Sequence, residues 1–203
     1  MSPRKAAALR DSDGERGLRD HLVITAQRLI AEQGAAGLTV RAIARAAGVA
    51  DGVLYNHFAD KEELLAEAVR AHVAAAHRDM GPLPAPGTAT LEANLSAYLR
   101  AGLALHRSVV PVFAGLIATP AVLARIGEPG EGESHWRDDL ANYLRAERDR
   151  GRLAADADIA AAVAVLVGVC HDEVLSAVLP GIPRAPAAIE SVVTTLLDGI
   201  GPR

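Results

Sequence analysis

The sequence predicts an all-α protein, and three observations carry that prediction. Half of the 203 residues are apolar but only 3% are aromatic. Ala, Val and Leu therefore fill the core, which favours close-packed helices over a sheet rich in β-branched and aromatic residues. Apolar residues recur at helical spacing along most of the chain. Clusters of glycine and proline punctuate these stretches, and no segment reads as a strand. The charged fraction of 23% is ordinary for a folded chain. Cys170 is the single cysteine, which excludes an internal disulfide and fits a reducing compartment. No apolar run follows Met1, and the longest, residues 159–170, is shorter than a bilayer requires. A cytoplasmic protein with no membrane partner is expected.

Residues 1–17 are polar without apolar periodicity and read as a flexible N-terminal arm. Over 18–33, Leu22, Ala26, Leu29 and Ile30 recur at helical spacing, and Gly34 closes that helix as its C′ residue. Thr39 is placed to N-cap a short helix over 40–47, whose inward stripe is Val40, Ile43, Ala44 and Ala47. Gly48 breaks it, and a second short helix follows over 51–57. Asp60, with Glu63 three residues on, is a D-x-x-E form of the capping box. The long helix it starts runs through Leu64, Leu65, Ala68 and Val69 to about His77.

The run Gly81-Pro82-Leu83-Pro84-Ala85-Pro86-Gly87 is a break. It separates an expected domain over 18–79 from a second over 80–203. Helical patterns then cover about 89–107, 108–118, 120–126, 134–151, 156–179 and 186–199, with Pro111 and Pro120 marking short or kinked pieces. Residues 127–133 read as an acidic, flexible loop, and 179–183 separate the last two helices.

The two short helices around Gly48 form a helix-turn-helix. Ala44 and Ala47 let the helices approach closely, Gly48 accommodates the positive φ of a tight turn, and Val49, Leu54 and Phe58 lock the second helix onto the first. Such a motif offers the N-terminal end of its second helix to the major groove of DNA.

At these residues a resemblance becomes specific. The stretch Leu38-Thr39-Val40-Arg41, then Gly48-Val49, then Gly52-Val53-Leu54-Tyr55-Asn56-His57-Phe58-Ala59-Asp60-Lys61-Glu62 resembles the TetR family of bacterial one-component regulators. The likeness is strong over 18–70 and elsewhere rests on helix number and C-terminal layout. It implies phosphate contacts from Thr39, Tyr55, His57 and Lys61, and base contacts from Arg41, Asp51, Gly52, Val53 and Asn56. The chemistry of these side chains suits those roles. The hydroxyls of Thr39 and Tyr55 can bond phosphate oxygens, and Lys61 lies at a helix N-terminus that favours an anion. Arg41 can donate to guanine O6 and N7, Asn56 can pair with adenine, and Val53 can pack a thymine methyl. Asp51 either accepts from cytosine or caps the recognition helix. Phe58 reads as a core ring. Ala50, Asp51 and Val53 stand where the family often has hydroxyl or basic residues, so the operator is expected to differ.

The segment 156–179 is the most apolar helix, with Ile159, Ala162, Val163, Leu166, Val167 and Val169 leaving little polar face. Such a helix must be covered on more than one side. The resemblance implies that the helices over about 156–179 and 186–199 form a bundle with a second subunit, Ile189, Val192, Val193 and Leu196 supplying the second stripe. It also implies that the remaining helices hold a small-molecule effector. Candidate contacts are Tyr98, Phe113, Trp136, Tyr143 and His171. With so few rings the pocket is expected to be mainly aliphatic and its ligand small and apolar.

The net charge of −4 does not oppose DNA binding. Eleven cations and eleven anions fall within 1–79, so the whole excess of anions lies after it. No nucleotide-binding or hydrolase motif is present, so no catalytic residue is expected. No metal or other cofactor is expected either, since Cys170, His171, Asp172 and Glu173 are adjacent on one helix and cannot converge on an ion. The sequence thus predicts a dimeric, ligand-responsive repressor of a palindromic operator. The alternative is a constitutive or architectural DNA-binding dimer, or a regulator controlled by a protein partner.

Overall fold

The computed structural model describes residues 3–126, 135–178 and 188–199, with the backbone alone for 3–16. Among the described residues every regular element is an α-helix: α1 (Pro3–Gln33), α2 (Val40–Ala47), α3 (Asp51–His57), α4 (Lys61–Asp79), α5 (Leu91–Leu116), α6 (Pro120–Ile126), α7 (Trp136–Asp149), α8 (Ile159–Val178) and α9 (Ile189–Asp198). The loop expected over 127–133 and the break at 179–183 lie outside the described residues.

Two compact units divide these helices: Met1–Ala75 with Pro111–Pro129, and Ala76–Val110 with Gly130–Arg203. In the first, Leu22, Ala26, Ile30, Ile43, Ala44, Leu54, Leu64 and Leu65 are buried together. The later residues Val112, Leu116 and Val122 complete the same core. In the second, Leu95, Leu99, Trp136, Leu140, Tyr143 and Leu144 of α5 and α7 pack with Ile159, Val163, Leu166 and Cys170 of α8 and Val193 of α9.

Two elements differ from the sequence expectation. The backbone is helical from Pro3, so the segment expected as a flexible arm is the first part of α1. Once the apolar face of 18–33 fixes the helix, extension through Ala6-Ala7-Ala8-Leu9-Arg10, all strong helix formers, is favourable. Helix α5 runs through Pro111 as one element, where two pieces were expected. A proline inside a helix removes one hydrogen bond. Here burial of Leu103 and Leu105 before it and of Val112 and Leu116 after it holds both halves in place.

Helix α8 is longer than its apolar run suggested. Over Ile159–Ala177 its mean hydropathy is 1.7, so by length and composition it could cross a bilayer. Instead Ile159, Val163, Leu166, Val167, Cys170 and Val174 are buried in the second unit, which accounts for one face. The opposite face presents Ala161, Ala164, Val165, Gly168 and Leu175.

Cys170 is fully buried, and desolvation pushes its thiol up to about 12. At pH 8 the folded protein is therefore expected to resist a thiol-reactive disulfide reagent, and to react stoichiometrically once unfolded in urea. Rapid reaction under native conditions would contradict this burial.

Candidate nucleic-acid interface and effector cleft

Local chemistry sets the helix-turn-helix. Thr39 is extended, and its hydroxyl oxygen accepts from the Ala42 N–H at 3.1 Å, which caps α2. Its hydroxyl hydrogen stays available to a phosphate oxygen. Gly48 takes φ 73° and closes α2 with two bonds, Gly48 N–H to the Arg45 carbonyl at 3.2 Å and Val49 N–H to the Ala44 carbonyl at 3.0 Å. An L-residue with a Cβ would be strained there. The capping box at α4 is present in a shifted form. Glu63 N–H donates to Asp60 at 2.9 Å, while the Glu63 carboxylate accepts from Ala59 N–H at 2.7 Å, one residue earlier than in the standard box.

These turns fix which side chains of α3 point outward. Leu54 and Phe58 are buried, and the Arg19 guanidinium lies 4.5 Å above the Phe58 ring. Arg19 is held in turn by Glu63 at 3.0 Å and by Glu67. Tyr55, three residues before Phe58, is 60% exposed. Asp51, Gly52 and Asn56 are exposed with it, as are Thr39 and Arg41 of the preceding segment, whereas Val53, His57 and Lys61 are half-buried. A Cβ built on Gly52 meets nothing within 4 Å, so this surface is open. The residue at the N-cap of α3 is Ala50, and the Asp51 carboxylate instead accepts from Arg41 Nε at 3.3 Å.

Sequence reasoning missed two features of this unit. Asp60 also pairs with Arg125 of α6, whose Nη2 donates at 2.7 Å and whose carbonyl accepts from Arg70 at 2.7 Å. The Arg125 bond, followed by the Glu63 amide, holds the Asp60 carboxyl below its ordinary range. Arg19 is the second. Neither cation carries a local motif; each is identified only by what lies across from it in space.

In the second unit an open cleft of about 460 Å³ is lined by His77, Met80, Leu83, Tyr98, Asp139 and Tyr143, among others. Of the expected effector contacts it holds Tyr98 and Tyr143, whose rings lie 4.6 Å apart. Its lining is more polar and aromatic than the aliphatic pocket expected, because α7 turns Asp139, Asn142 and Tyr143 toward it. The other candidates lie elsewhere. Trp136 is a core residue whose indole N–H donates to the Tyr98 carbonyl at 3.2 Å, and whose backbone N–H donates to His77 Nε2 at 3.1 Å. Phe113 packs against the core of the first unit. His171 is exposed on α8, its ring 5.0 Å from that of His106, which bonds the Gly102 carbonyl through Nδ1 at 2.7 Å. Burial holds His106 below its ordinary value.

Beside the cleft, Glu147 is fully buried, accepts from Gly87 N–H at 3.0 Å and pairs with Arg152 at 3.3 Å. Burial alone would raise its carboxyl, but the Gly87 amide, the Tyr143 hydroxyl and the neighbouring guanidinium groups outweigh that and hold it low. The Tyr143 hydroxyl and Asn94 Nδ2 are buried beside Glu147, close enough to interact but without a hydrogen bond of good geometry. Such atoms are costly unless something completes them. Neither their location nor that of Glu147 follows from any sequence pattern.

Comparison with known proteins agrees with the geometry. The family model for bacterial regulatory proteins of the tetR family matches residues 22–68. The HTH-type transcriptional repressor KstR2 of Rhodococcus jostii is 30% identical over 152 residues, covering 73% of this chain and 74% of that protein. The crystal structure of the TetR family transcription regulator SCO0332 superposes with a TM-score of 0.60 at 25% identity, over 91% of this chain and 99% of that one. The flavonoid-responsive regulator FrrA gives a TM-score of 0.60 at 29% identity, over 89% and 93%.

Proposed function

The chain belongs to the tetR family of bacterial regulatory proteins, a DNA-binding transcriptional regulator and not an enzyme, and from that premise we propose that it is a dimeric repressor, acting in the cytoplasm and released from a palindromic operator by a small effector. The observation that carries this reading is the outward face of α3. Asp51, Gly52, Tyr55 and Asn56 stand clear of the core while Leu54 and Phe58 anchor the helix beneath them. Thr39, Tyr55, His57 and Lys61 bind phosphates in this reading, and Arg41, Gly52, Val53 and Asn56 meet base edges.

One short helix reads too little DNA alone, and a two-fold dimer spans half-sites about 34–36 Å apart or a multiple of that. The small-residue face of α8 suits such a dimer, since Ala161, Ala164 and Gly168 allow close helix approach and Val165 and Leu175 supply apolar area. The half-buried Ile189, Val192 and Leu196 of α9 extend it. Repression is carried over from KstR2, and response to a ligand is supported by FrrA and by the cleft that Tyr98 and Tyr143 line. Met80 and Leu83 suit an apolar body, with His77 and Asp139 meeting a polar end, so the effector of this reading is amphipathic.

Selection of bound genomic fragments by the purified protein tests the reading. It is expected to enrich one inverted repeat, bound as a dimer with affinity that falls steeply as salt rises. Enrichment without sequence preference would favour an architectural role instead.

A further inference from the structure

We propose that Asp51 is a positioning residue for Arg41: its carboxylate fixes the guanidinium so that the terminal nitrogens face a guanine, and the pair, not Arg41 alone, selects that base. This rests on the proposed docking of α3 in the major groove. Arg41 lies in the first turn of α2 and Asp51 in the first turn of α3, so the contact bridges the two helices of the motif. The bond uses Nε, donating to Oδ2 at 3.3 Å. A guanidinium has five N–H groups in one plane. With Nε engaged, the four on Nη1 and Nη2 remain, and two of them match the O6 and N7 acceptors of guanine.

Folding does not explain the pair. The two side chains are 78% and 50% exposed, and ion pairs so open to water add little stability. Nor is Asp51 needed as a cap, because Ala50 occupies the N-cap of α3. A lone carboxylate on a surface that meets phosphates would weaken binding. Paired with Arg41 it is neutralised, and it removes rotamer freedom that a free arginine would lose on reaching a base. The open space at Gly52, next to Asp51, lets a base edge come close.

The test uses the full-length protein and its selected operator, in which each guanine is replaced in turn by 7-deazaguanine to delete N7. Wild type is expected to lose about tenfold in affinity at one guanine per half-site. Arg41→Ala abolishes that dependence. Asp51→Ala, although it removes a negative charge, lowers operator affinity about fivefold, reduces the N7 dependence and leaves non-specific binding no weaker. Asp51→Asn, which keeps an acceptor oxygen, restores part of the N7 dependence, and the double variant Arg41→Ala/Asp51→Ala is no weaker than Arg41→Ala. Asp51→Ala binding operator and random DNA more tightly alike would overturn the proposal, as would additive losses in the double variant. If Asn56→Ala and Tyr55→Phe also leave operator affinity unchanged, the docking of α3 fails and the proposal falls with it. Thermal melts that match wild type confirm that each variant is folded.

Discussion

Phe58→Ala is expected to destabilise the first unit by about 3–5 kcal/mol and to abolish operator binding. Tyr55→Phe, three residues earlier and within α3, is expected to leave stability within about 0.5 kcal/mol of wild type. The contrast follows from burial. Phe58 is 3% exposed, covered by Arg19 and packed with the residues that hold α3 in place. Its loss leaves a cavity and frees Arg19 from the ring, so α3 no longer has a fixed orientation. Tyr55 is 60% exposed, and its hydroxyl serves the phosphate in the proposed complex. Losing one hydrogen bond to a charged oxygen lowers operator affinity about tenfold or more. Urea unfolding and operator titration of both variants separate the two roles. A stable Phe58→Ala, or a Tyr55→Phe that unfolds early, would reverse the assignment.

In the second unit the corresponding result concerns Gly102→Ala. In an exposed helix this substitution stabilises by about 1 kcal/mol, because alanine is the better helix former. Here the sign is expected to reverse. A Cβ at Gly102 would lie 2.2 Å from Trp136 Cζ2, and the indole cannot simply turn aside. Its N–H is bound to the Tyr98 carbonyl, and the His106 ring packs against it in a T-shaped arrangement with centroids 5.3 Å apart. Overpacking of this kind costs about 1–3 kcal/mol. The expected outcome is a lower midpoint in thermal unfolding. Trp136→Phe, itself costly, makes the second substitution cheaper, so a double-mutant cycle should show a favourable coupling between the two sites. A Gly102→Ala protein more stable than wild type would mean that α5 and α7 are not in such close contact.

Features set by neighbouring residues were legible in the sequence. Thr39 as a cap, Gly48 as a left-handed turn and the Asp60–Glu63 pair at the start of α4 each act within a few residues. What a periodic pattern cannot state is the partner. The helical pattern over 108–118 did not show that Val112 and Leu116 complete the core of the first unit. Phe113 was counted among effector contacts for the same reason. The cleft carries Asp139 and two tyrosines because of how α5 and α7 meet, a matter of tertiary geometry that composition does not encode. Arg19, Arg125 and Glu147 follow the same rule, since a charged residue means one thing in solution and another beside a particular neighbour.

The return of 111–126 to the first unit bears on how this regulator can be taken apart. Val112, Leu116 and Val122 share a core with Leu22, Leu64 and Leu65, and Arg125 reaches Asp60 beside the start of α4. A hybrid made by splicing the DNA-binding unit onto a foreign domain at the proline-rich run 81–87 would leave its own last wall behind. For modular engineering the workable cassette is discontinuous: 1–75 and 111–126 must travel together, or the foreign domain must present an equivalent apolar ridge and an arginine for Asp60.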